Sequence, residues 1–194
     1  KGHPPFFVVV SDEYVDTIHA NKKNFAYHIK NTNIIVIKRS KYKESQNNPK
    51  SSDELYAILA HETVHLATQA IRTDKLPWWF NEGVTEYLSR ATLTNRSEGS
   101  HPFYSNITRL AYYLAELVGK DVLAEAYFTG DLSKIRATLD KMHGFGTFDR
   151  FMTDPDMKNK YGLLRQLCEQ NGLKVEKFDE ELARWGKIRQ PHEY

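Results

Sequence analysis

Cysteine is almost missing from this chain. Cys168 stands alone among 194 residues, so no internal disulfide can hold the fold and a packed core has to. Charge of one sign is also scarce. The 27 Lys and Arg against 25 Asp and Glu leave a formal net charge of +2, and no dense basic block appears. That excludes the electrostatic footprint of a dedicated nucleic-acid binder, and no nucleic-acid partner is expected. No apolar run approaches the ~18 residues needed to cross a bilayer, so no membrane-spanning segment is expected. Methionine is absent before Met142, and the chain opens at Lys1. This opening reads as a trimmed or processed form, with any signal segment outside it, and the expected setting is secreted or periplasmic rather than cytoplasmic. What remains is an ordinary globular composition, 40% hydrophobic and 27% charged. One domain is expected over residues 1–194, with a real core.

The first 40 residues alternate in character. Phe6 to Val10, "FFVVV", reads as a short buried strand. Ser11 is a plausible cap for a helix carrying Tyr14, Val15 and Ile18 at helical spacing. The β-branched run Asn33 to Arg39 reads as a second strand, and the polar stretch 40–52, with Pro49, reads as a loop. Ser52 or Asp53 is expected to cap a helix running to about Arg72. Further on, "LAYYLAELVG", "DVLAEAYF", "LSKIRATLDKM", "YGLLRQLCEQNG" and "VEKFDEELARWG" read as short amphipathic helices, several stopped by glycine.

The helix ending near Arg72 holds the informative pattern. Within "ILAHETVHLATQ", His61, Glu62 and His65 form H-E-x-x-H. Residues four apart share a helical face, so both imidazoles point the same way, at the spacing of two metal ligands. Glu62 is then placed as a general base. About 0.02 such patterns are expected by accident in a chain of this composition. Leu55, Leu59, Leu66 and Ala70 form a core stripe, with Ile58 and the polar trio on the stripe beside it. The plain alternative is a pair of hydrogen-bonded core histidines. It must also bury Glu62 on the same stripe, which costs on the order of several kcal/mol unless the carboxylate is paired.

A catalytic zinc takes three protein ligands and keeps one position open. The third is at hand in "WWFNEGVTEYLSRA", a helix expected from Trp78 to Ala91 behind Pro77. Glu82 can complete a His2Glu set, and Glu86, one turn on, can orient a ligand imidazole through its second nitrogen. "HETVH" followed by "WWFNEGVTEY" resembles the gluzincins, the zinc metallopeptidases that include thermolysin and a large aminopeptidase branch. It is most similar to the small peptidase-MA-like catalytic domains. The resemblance implies one zinc ion held by His61, His65 and Glu82, with Glu62 as the base and Glu86 as the orienting residue. The connection between the two motifs is shorter than in the aminopeptidase branch.

The same resemblance implies an α+β fold. A small N-terminal mixed sheet carries the H-E-x-x-H helix over residues 1–72. A mainly helical lobe follows over 73–194, with the zinc cleft between the two. Aminopeptidases of this clan place an oxyanion-binding tyrosine ahead of a "YL" pair and a glycine. Tyr104, Tyr113-Leu114 and Gly119 stand in that register here, with Ile107 where a small residue is usual. His101 is the rival donor, since thermolysin-like enzymes use a histidine in that role.

The expected function is a zinc-dependent metallopeptidase acting on peptides or proteins. The strand 33–39 is the expected edge for an extended substrate. An endopeptidase is expected over an aminopeptidase, because the G-x-M-E-N segment that reads a free amine has no counterpart upstream of the motif. The alternative is a zinc-binding regulatory or interaction protein of the same fold without turnover.

Overall fold

The computed structural model describes residues 4–18, 25–68, 76–92 and 105–175. They form an α+β fold, mostly helical, with one small three-stranded mixed sheet. The chain divides into two compact units, residues 1–70 with 88–101 and residues 71–87 with 102–194.

The first unit contains β1 (Phe6–Val10), α1 (Asp12–Ile18), β2 (Ala26–His28), β3 (Ile34–Lys38), α2 (Arg39–Asn47) and α3 (Pro49–Thr68). The strands lie in the order β1-β3-β2, with β1 parallel and β2 antiparallel to β3. Alternation along β3 sorts its side chains to two faces. Ile35 and Ile37 join Ala26, Leu55 and Ile58 in one core cluster, so α3 covers that face. Val36 joins Tyr27 and Val15, so α1 covers the other. Ser11 caps α1 as expected, its Oγ accepting from the Tyr14 N–H at 3.2 Å.

Four expectations are corrected here. β3, which contains the expected substrate edge, is the central strand; the edges are β1 and β2. β1 is not buried. Its edge position leaves Phe6, Phe7 and Val8 at 62%, 50% and 40% exposure. β2 had no counterpart among the expected elements. The stretch 40–52 is helical rather than a loop, for a reason that only the tertiary structure supplies. The buried Lys41 ammonium on α2 is bonded to Glu54 of α3 and lies 4.8 Å from the Phe25 ring centre. Ser51 donates to Glu44 at 2.6 Å. Consequently α3 begins at Pro49, the first-turn position proline favours, and Asn48 Oδ1 accepts from the Lys50 N–H at 3.0 Å.

The second unit takes in the start of α4 (Trp78–Thr92), then α5 (Ser105–Val118), α6 (Lys120–Thr129), α7 (Ser133–His143), α8 (Thr147–Thr153) and α9 (Met157–Gln170). Its core is built from Leu110, Tyr113, Leu114, Leu123, Tyr127, Leu139, Phe151 and Leu164, all fully buried. Gly119 joins α5 to α6 at φ 93°, a conformation side chains resist. Among the described residues, no helix is long and apolar enough to cross a membrane.

Candidate metal centre

Helix α3 packs Leu55 and Ile58 into the sheet core and carries His61 and His65 on an adjoining stripe, both buried. Ile58 thus belongs with the core rather than with the polar trio. The two Nε2 atoms face one another at 3.0 Å, with the rings edge to face. A tetrahedral centre with metal–nitrogen bonds of 2.0–2.1 Å needs its nitrogens about 3.3 Å apart, so the pair has to open by only a few tenths of an ångström.

Glu62 turns toward β2. The His28 N–H donates to its Oε2 at 3.1 Å, and the His28 Nδ1 lies 3.4 Å from the same oxygen. The His28 ring also stacks on His65, with centroids 5.8 Å apart. Burial pushes the Glu62 carboxyl upward. The His28 hydrogen bond, followed by the neighbouring imidazoles of His61, His65 and His28, outweighs burial and holds it below the usual range. The carboxylate is therefore ionised at neutral pH, the form a general base needs.

Helix α4 presents Glu82 half-buried and Glu86 almost wholly buried. Its placement in the second unit is over-determined. A Cβ at Gly83 would stand 2.6 Å from the Ile107 carbonyl oxygen, so only glycine allows α4 and α5 to approach this closely. Trp79 packs edge to face on Phe151 at 5.1 Å, beside the Lys160 ammonium at 4.8 Å. Tyr127 donates to Asn81 Oδ1 at 2.8 Å and is also bonded to the Thr85 hydroxyl. One ligating atom each from His61, His65 and Glu82 lies within 4.8 Å of the others. Two imidazole nitrogens and one carboxylate oxygen are a donor set that a divalent transition-metal ion, zinc included, can take.

Tyr104 and His101, the rival oxyanion donors, lie outside the described residues. The rest of that register has a packing role: Tyr113 and Leu114 are core, and Gly119 makes the turn after α5. Ile107 is buried, and its backbone is what Gly83 abuts. Sequence reasoning missed two residues, His28 on β2 and Tyr127 on α6. Neither sits in a motif, and each meets its partner only through the fold. Compared with known proteins, the chain matches no family model, no curated protein and no solved structure.

Proposed function

We propose that this chain is a zinc-dependent metallopeptidase, an endopeptidase acting on peptides or proteins. The observation that carries the reading is the convergence of His61, His65 and Glu82 within 4.8 Å, next to an ionised Glu62. A zinc ion bound by those three residues supplies Lewis acidity toward a carbonyl and acidifies water. Glu62 takes the proton of the attacking water and returns it to the leaving amine. His28 holds the Glu62 carboxylate through Oε2 while it does so. Glu86 fixes the orientation of a ligand imidazole, and Tyr104 or His101 donates to the developing oxyanion.

The substrate edge is reassigned from β3 to β2. The register pairs Tyr27 with Val36, and backbone bonds join Ile29 to Ile34 and Lys38 to Phe25. The backbone groups of Ala26 and the carbonyl of His28 therefore face away from β3, where an added strand beside Glu62 could meet them, while the His28 N–H is taken by Glu62.

The test is metal content with cleavage of a mixed peptide library, with and without a chelator, on wild type and Glu62→Gln. Wild type takes up one zinc per chain and cleaves, and the chelator abolishes cleavage. Glu62→Gln keeps its zinc and loses about 10²–10⁴-fold in rate. No zinc uptake, or a Glu62→Gln variant as fast as wild type, overturns the reading. Zinc uptake without cleavage selects the regulatory alternative.

A further inference from the structure

Helix α4 carries two stripes side by side. Asn81 and Thr85 are one turn apart on the first; Glu82 and Glu86 are one turn apart on the next, about 100° around the axis. One buried hydroxyl bonds both members of the first stripe. Tyr127, fully buried in the last turn of α6, donates to Asn81 Oδ1 at 2.8 Å. With its proton committed there, its oxygen accepts from the Thr85 hydroxyl, which is also fully buried. The three groups form a chain, Thr85 to Tyr127 to Asn81, in which each bond polarises the next.

The packing of Gly83 on Ile107 sets how closely α4 approaches α5, and Trp79 against Phe151 seats its apolar side. The Tyr127 bonds act on rotation, because they grip two side chains one turn apart on the same stripe. The leverage is large. A carboxylate about 6 Å from the axis moves about 2 Å for a 20° turn, whereas metal–ligand distances are held to about ±0.2 Å.

We propose that Tyr127 is a positioning residue for metal binding: its hydroxyl, through Asn81 and Thr85, fixes the rotation of α4 at which Glu82 reaches the ion. The inference rests on the metal reading above and names a residue that never touches the metal.

The experiment measures zinc affinity by competition with a chromophoric chelator, and the visible spectrum of the cobalt form, on the full chain. The variants are Tyr127→Phe, Thr85→Val and Thr85→Ser, with Tyr113→Phe as the control. Tyr113 is an equally buried tyrosine of the same unit whose hydroxyl pairs with that of Tyr161 at 3.1 Å. Tyr127→Phe and Thr85→Val weaken zinc binding by about 10-fold or more and alter the cobalt spectrum, as lost outer contacts do. Thr85→Ser, which keeps the hydroxyl, stays near wild type. Tyr113→Phe lowers thermal stability and leaves affinity alone. The Thr85 pair reads the same bond if Tyr127→Phe fails to fold. Zinc affinities of Tyr127→Phe and Thr85→Val within about twofold of a tightly binding wild type, or an equal loss in Tyr113→Phe, overturn this inference alone. A wild type that takes up no zinc overturns the metal reading and this inference together.

Discussion

Cys168 and Glu62 are both removed from water, yet their ionisation moves in opposite directions, and the difference lies in their partners. The Cys168 thiol is fully buried and donates to the Tyr113 carbonyl at 3.8 Å. Burial, reinforced by Glu116 and Glu169, pushes its pKa up to about 12. Glu62 has the His28 side chain bonded to it and the imidazoles of His61, His65 and His28 around it, and they outweigh its burial. Since the thiolate is the reactive form, native protein near pH 8 should react with a thiol reagent about 10³-fold more slowly than a free cysteine, before burial adds further protection. Unfolded protein should take one label per chain at the ordinary rate. Rapid labelling of the native protein would show that Cys168 is not the inert core group described here. Its isolation in the sequence ruled out a disulfide, but its burial became visible only in the packing of α5 against α9.

At the scale of the element, two helical glycines make opposite predictions. Replacing glycine by alanine inside a helix gains about 0.8–1 kcal/mol from propensity alone. At Gly162 of α9 nothing lies within 4 Å of the added Cβ, so Gly162→Ala should stabilise by nearly that amount. At Gly83 of α4 the Cβ meets a backbone oxygen at 2.6 Å, and backbone cannot swing aside. Overpacking costs about 1–3 kcal/mol, so Gly83→Ala should be destabilising despite its better propensity. Denaturant midpoints for the two variants check the signs; a stabilised Gly83→Ala would mean that α4 and α5 are not in backbone contact. Helix α4 itself was legible from Pro77, and so was α1 from Ser11. Helix α2 was not, because its sequence is polar throughout and the reason it is helical lies in the bonds of Lys41 and Glu44 to α3.

For the whole molecule, a ligand that binds only the native state stabilises it by mass action. Free zinc at about 100 times its dissociation constant should add about 2.7 kcal/mol, seen as a rise in the thermal midpoint that excess chelator reverses. The Glu62→Gln variant should show the same rise, because its three proposed ligands are intact. A midpoint that saturating zinc leaves unmoved would speak against a metal site in the folded chain.

What the sequence determined by itself is whatever depends on neighbours within a turn or two of helix. His61, Glu62 and His65 share a face because of their spacing, and Glu82 and Glu86 do so for the same reason. The α+β class was expected from the resemblance that these motifs carry, and the small mixed sheet with its many helices agrees with it. What only the tertiary structure decided is whatever joins residues far apart in the chain. β3 became the centre of its sheet, and not its edge, because β1 and β2 pair on either side of it. His28 meets Glu62 across 34 residues, and Tyr127 meets Asn81 and Thr85 across 46 and 42. Such contacts leave no periodic trace in a sequence, since any buried histidine or tyrosine can make them once packing brings a partner within reach.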